Sequence, residues 1–448
     1  MSETLNQAVH EEHLRSIETL IEHYANAESL PAQVRDRARE MLIDTLACIF
    51  EGRGAAEVSA FERSLGSNEA GSFRFPGGPL LSSWSGASVS AMASTWSEAC
   101  EGLPYAHGRP GLAIVSALLA LAVERQSTLD DVLRSLTVGY EVGARCGGWL
   151  RIRPGMHVDG NWPGLGVAVA VSSLLHLTAE QTIIALNIAA CQLPESLYLP
   201  IKTGTNARNT YLPHSALLGL MSAFSAQAGL TAPRRALIEY AQIHSCDSGL
   251  PVPAYDHSFI EDAYFKPFAS ARHVHYGVEA ALKVRQKLNE SIGDINKIVL
   301  KIYPEAATYA GNRDPQAMIT GQFSLTLGVA SALRFGHMNP EIYTPSLFFD
   351  HELRKLEQLV EIVVDNQLTN SSVRRAELSV DTKSAKYVEK IEYLKGDPAS
   401  PLSQQELADK FFRYSQHRVA RISAQKFIDE LLANKAGLKF ADLWNLLF

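Results

Sequence analysis

The sequence predicts a protein of α and α+β class: a large all-helical domain, then a smaller α+β domain with a mostly antiparallel sheet. Three observations carry that expectation. Up to about residue 270 there is almost no alternation of apolar and polar residues at period 2, and helical spacing dominates. Beyond it, four short segments at 297–303, 359–365, 375–381 and 387–393 alternate and are rich in β-branched residues. From Ser403 onward the pattern is helical again, with charged faces. The expected division is residues 1–268 for the helical domain, 269–400 for the α+β domain, and 401–448 for helices that return to the first.

In chain order, Leu14, Ile17, Leu20, Ile21 and Tyr24 form one apolar stripe. Pro31 opens a second helix that stops at Gly52. Residues 66–81, GSNEAGSFRFPGGPLL, are loop because Gly and Pro interrupt any period. The small-residue stretch SGASVSAMASTWSE suits a tightly packed helix, and the turn GLPYAHGRPG leads into an apolar helix over 112–124. Helices are expected over 128–147, 164–177, 178–190 and 214–228, with loops RIRPGMHVDGNWPG and LPESLYLPIKTGTN between them. In the second half, helices near 316–336 and 350–357 separate the first strand from the other three, which places helices on one face of the sheet.

Bulk properties exclude several classes. The 448 residues are 46% hydrophobic and 20% charged, an ordinary globular balance. A net charge of −7 argues against a nucleic-acid surface. Five cysteines lie far apart with no C-x-x-C, which suits reduced thiols in a cytoplasmic protein. The polar, acidic N-terminus reads as neither signal nor transit peptide. The longest apolar runs, 112–123 and 164–177, are too short to span a bilayer, so no membrane partner is expected. H-E-x-x-H, a Cys/His cluster, G-x-S-x-G, a P-loop and a strand-to-helix G-x-G-x-x-G are all missing, so no metal and no cofactor is expected.

The most informative stretch is FKPFASARHVHYGVEAAL, residues 265–282. It gathers Lys266, Arg272, His273 and His275 at a helix start, with Ser270 as the expected N-cap. Free N–H groups and the helix dipole favour an anion there. His273 and His275 at i and i+2 do not share a helix face, which argues against a metal pair. Three other junctions also set a cation or histidine beside Gly or Pro before a helix. They carry His107 and Arg109; Arg151, Arg153 and His157; and Lys202 and Arg208. Cations oppose the dipole at a helix start, so four such junctions in an acidic chain suggest a function. If they converge they form a pocket for a small di- or tricarboxylate; if not, each is a solvated cap. The chemistry such a pocket suits is proton removal beside a carboxylate. Cations and N–H donors stabilise the dianion as it forms, and Lys202 or Lys266, near other cations, is pushed toward the neutral base.

The blocks DTLAC at 44–48, GYEVGAR at 139–145, GMHVDGNWPGLGVAVA at 155–170, the lysine Lys202 before a Gly/Thr turn, FKPFASARHVHYGVEAA, and TYAGNRDP with Tyr309 stand in one order. In that order they resemble the MmgE/PrpD family, which includes 2-methylcitrate dehydratase, cis-aconitate decarboxylase and iminodisuccinate epimerase. The resemblance implies a helical domain with an α+β lid, a homodimer, and a cofactor-independent site between the domains. It implies His157, Lys202, His275 and Tyr309 as site residues, with Lys266 and Arg272 nearby; the expectation is that the first four are catalytic and that His107, Arg109, Lys266 and Arg272 bind substrate. The family's Asp-rich stretch and H-P-G read here as SEACEGLPYAHGRPG, with Arg109 in the histidine's place and Glu98 and Glu101 as the remaining carboxylates. An extra arginine suits a substrate with more fixed negative charge and no leaving group; within the family the iminodisuccinate epimerase meets that description, so an epimerase of an imino dicarboxylate is expected. A dehydratase or decarboxylase of a tricarboxylate is the alternative.

Overall fold

The computed structural model describes residues 2–27, 29–66, 71–246, 250–289, 291–369, 373–433 and 435–448; part of the loop expected over 66–81, residues 67–70, lies outside them. The helical half is built around Pro110–Glu124, which is buried along nearly all its length. That burial follows from composition: its Ala, Leu, Ile and Val leave no polar face. Leu129–Trp149 packs on Pro163–Leu174, and Tyr211–Gln227 packs on the same helix from another side. Reciprocal capping boxes fix two starts, Thr128 with Asp131 and Thr178 with Gln181.

Among the described residues of this half, the paired strands are a two-strand ladder, β1 (Met156–His157) antiparallel to β2 (Ser196–Leu197). It pairs His157 with Ser196. Two residues per strand are too few to leave an alternation in the sequence. Gly160 follows at once, and a Cβ there would fall 1.9 Å from Ser196 Oγ, so only glycine lets the two loops meet.

The second half holds a four-stranded sheet of order β4-β3-β5-β6, where β3 is Ile295–Ile302, β4 Val360–Val364, β5 Ala376–Thr382 and β6 Lys386–Ile391. Strand β5 alternates strictly, with Ala376, Leu378, Val380 and Thr382 buried. The sheet is mixed. Strands β3–β5 and β5–β6 pair antiparallel, but β3 and β4 run parallel. Helices Leu325–Phe335 and His351–Gln358 lie in the β3-to-β4 crossover, as a parallel pair requires.

Two apolar cores result. One runs from Leu14 to Ala269 and includes Leu402 to Leu447; the other runs from Ala271 to Leu394 and includes Ile201. The connection between them, Tyr264–Phe265, is held on two sides: Gly102 and Tyr264 exchange backbone bonds, and Phe265 N–H donates to Gly396 O. The helix Arg272–Lys287 that follows differs from expectation at its start. Ala271, not Ser270, is the N-cap, and no side chain caps it. Ala271 N–H donates instead to the Gln322 carbonyl, so tertiary contact replaces the local cap. No described helix is long and apolar enough to cross a membrane.

Candidate active site

All four junctions meet, and they meet through two carboxylates. Glu98 Oε2 accepts from Arg109 Nη1 at 3.0 Å and from Arg208 Nη2 at 2.7 Å, while Oε1 accepts from Lys266 Nζ at 2.8 Å. Arg109 also binds Asp159 through Nη2 and, at 3.4 Å, through Nε. The cluster is buried. Three cations and two carboxylates leave one net positive charge. Burial alone would raise the Glu98 carboxyl, but Arg109, Lys266 and Arg208 outweigh it and hold the group well below its ordinary value. Asp159 is lowered by the same balance, with Arg109 as the main partner.

Lys266 differs from the sequence expectation here. Burial would lower its pKa, but the adjoining Glu98 carboxylate wins and raises it, so Lys266 stays an ammonium rather than becoming a base. Arg109 differs too. Its donors go to Glu98, Asp159 and, at 3.2 Å, Cys100 Sγ, which leaves it a strut of the cluster rather than a free hand for substrate. Arg208 is the reverse case: Nη2 is bound by Glu98 and Thr95, yet its buried Nε and Nη1 have no partner. Glu101 lies beneath, where Oε1 accepts from Gly111 N–H and caps Pro110–Glu124 from afar. Burial pushes its carboxyl up to about 8.

His157, positioned by β1 and β2, sits beside this cluster. Its Nδ1 accepts the Asp159 backbone N–H at 3.2 Å. Burial lowers its pKa to about 4, with Asp159 opposing and Arg208 and Arg109 reinforcing. A neutral ring that accepts at Nδ1 carries its proton on Nε2. His157 in this tautomer offers substrate a neutral hydrogen-bond donor.

A series of rings then crosses from His157 to the sheet half. His157 and Tyr198 lie nearly parallel at 5.9 Å between centroids, Tyr198 meets Tyr309 edge-on at 6.0 Å, and Tyr309 lies nearly parallel to His273 at 6.0 Å. His273 Nδ1 is 2.7 Å from the Tyr303 hydroxyl. Tyr198 is also the N-cap of Leu199–Thr203, the short helix that carries Lys202. Gly204 ends that helix in the left-handed region at φ 74°, facing Ala317 and Thr320 of the sheet half.

The remaining predicted residues separate. Lys202 is exposed, and Tyr309 is 47% exposed. Arg272 binds Asp397, lies over the Tyr264 ring and keeps a buried, unpartnered Nη1. His107 is exposed at φ 51°. His275 is fully buried in the second core against Phe268, with Nε2 bonded to Ser270 O at 3.2 Å. Arg151 and Arg153 turn away to the carbonyls of Tyr105 and Ile243. Among the described residues, no group of three or more His, Cys, Asp or Glu is placed to hold a metal.

Family models decide the kinship. The MmgE/PrpD N-terminal domain matches residues 19–242 and the MmgE/PrpD C-terminal domain matches 268–434. The chain belongs to the MmgE/PrpD family. The gap between its two family domains, 243–267, contains Tyr264 to Lys266, the segment that passes between the two cores. No curated protein matches the chain. In this MmgE/PrpD protein Asp159, Tyr198 and Tyr303 are site neighbours absent from the sequence expectation, and His273 is expected only as part of the anion-binding helix start, not as a catalytic group. Asp159 stands two residues from His157 in the same HVDG block, a signal that was present; the two tyrosines carry none.

Proposed function

We propose that this MmgE/PrpD protein is a cofactor-independent epimerase that removes and returns the proton alpha to a carboxylate of a small imino dicarboxylate, with iminodisuccinate as the first candidate. Family membership supports enzymatic activity of the hydratase, dehydratase or related kind. The observation that favours epimerisation within that range is Glu98. Loss of hydroxide needs an acid beside the leaving group, and three cations keep Glu98 ionised. A substrate with no leaving group needs no such acid.

In this reading the spare donors of Arg208 and Arg272 hold the substrate carboxylates. His157 Nε2–H donates to the charge that develops when the alpha proton leaves, a role suited to a neutral imidazole in a water-poor cleft. Lys202, exposed on its short helix beside the ring series, moves a proton on one face. Proton NMR in deuterated water tests the proposal on iminodisuccinate, 2-methylcitrate and cis-aconitate in parallel. Exchange of the alpha hydrogen of iminodisuccinate with no new alkene supports it. An alkene or carbon dioxide from either tricarboxylate would establish a lyase instead. Glu101 is the observation that favours that second reading, because its carboxyl stays protonated at neutral pH and lies under Arg109.

A further inference from the structure

Epimerisation needs a second proton carrier on the face opposite the first, and His275, the histidine the family resemblance singles out, is sealed in the second core. We propose that His273, backed by Tyr303, is that second catalytic group, with Tyr303 as its positioning residue. The inference rests on the epimerase reading. His273 stands in the first turn of Arg272–Lys287 and is only half-buried. Its ring ends the series that begins at His157, so it approaches His157 from the sheet half through Tyr309 and Tyr198. Its neighbour in sequence, Arg272, keeps an unpartnered Nη1 donor, which in this proposal anchors a substrate carboxylate.

The chemistry follows from the Nδ1 contact to Tyr303. A tyrosine hydroxyl both donates and accepts. When His273 Nδ1–H donates to the Tyr303 oxygen, Nε2 has a free lone pair. That lone pair takes the alpha proton: the C–H bond breaks, an N–H bond forms, and the C–H electron pair moves into the adjoining carboxylate. Lys202 then delivers a proton to the opposite face of the carbon, and an N–H bond of its ammonium breaks. In the reverse direction neutral Lys202 takes the proton and the His273 imidazolium returns one. Burial, helped by Arg374, Lys266 and Arg272, lowers the His273 pKa to about 3 in the resting protein, so the ring is neutral there; the negative charge of a bound dicarboxylate opposes that shift and favours the imidazolium as it forms.

Two-base exchange has a handed signature. In deuterated water the wild type should wash deuterium into both enantiomers of iminodisuccinate. His273→Asn should lose exchange from one enantiomer by about 100-fold, the lower range for a general base, and retain it from the other. Lys202→Ala should show the opposite hand. Tyr303→Phe should slow only the His273-dependent hand, in kcat and not in KM, and it carries the test if His273→Asn does not fold. Equal exchange from both hands in His273→Asn, or equal loss from both in folded enzyme, overturns the assignment and leaves the epimerase reading standing. No exchange from either hand in the wild type overturns both.

Discussion

The two ends of the ring series solve opposite problems. On the helical side, Glu98, Arg109, Arg208, Lys266 and Asp159 are buried and largely paired with one another. On the other side stand Lys202, exposed, Tyr309, nearly half exposed, and His273, half-buried and bonded through one ring nitrogen. Buried ion clusters give fixed geometry and a fixed field at a large desolvation cost. Exposed groups such as Lys202 and Tyr309 can change position cheaply. The contrast teaches that one junction can supply both a buried, paired charge and an exposed one, as IKTGTNARN carries Arg208 and Lys202.

Perturbation should divide along the same line. Glu98→Ala leaves three buried cations short of a partner and should cost roughly 3–5 kcal/mol of folding stability in urea unfolding. Arg109→His belongs with it and should lower stability more than it raises KM. A stability loss below about 1 kcal/mol, as for a surface pair, would mean that the cluster is solvated. Lys202→Ala should do the reverse: kcat falls by roughly 10²–10⁴-fold while stability stays within about 0.5 kcal/mol. A shift of the unfolding midpoint that outweighs the rate loss would return Lys202 to a structural role. Arg272→Gln should raise KM about tenfold, the loss of one charge-assisted hydrogen bond of ~1.5 kcal/mol, with kcat little changed.

The last readout is the pH response. His157 and His273 have folded values of about 4 and about 3, below the ordinary histidine value of ~6.5. Between those values and 6.5 the unfolded chain binds more protons than the folded one, so their stabilising contribution is complete above pH 6.5 and is lost as pH falls toward 4. Glu101, raised to about 8, works against them, because the folded chain holds its proton and loses that advantage as pH rises through 8. Stability should therefore fall more steeply on acidification from pH 6.5 to 5 in Glu101→Gln than in the wild type. Ring resonances of His157 and His273 should not titrate in that range, and a midpoint near 6.5 for either would place it in open solvent.

Much of the fold was legible because its signals are local. The four alternating segments coincide with β3 to β6 to within two residues at each end, since a half-buried strand must alternate. The parallel pairing of β3 with β4 was not legible, because alternation says nothing of direction. In the site, the family blocks pointed to the correct loops, but partners 50, 110 and 168 residues apart decide what each cation does. That is why Arg109 and Lys266 read as free charges and prove to be bound ones. The resemblance singles out His275 and not His273, and burial, full for His275 and partial for His273, is not readable from two histidines two residues apart.

The central claim is proton exchange without elimination at this cleft. Enantiomerically pure iminodisuccinate should be incubated with the purified protein in deuterated water, with optical rotation and proton NMR followed together. The account predicts rotation decaying to zero, solvent deuterium at the alpha carbon of the inverted molecules, and no vinyl signal. Unchanged rotation with fully retained alpha hydrogen, or a vinyl product, would contradict it.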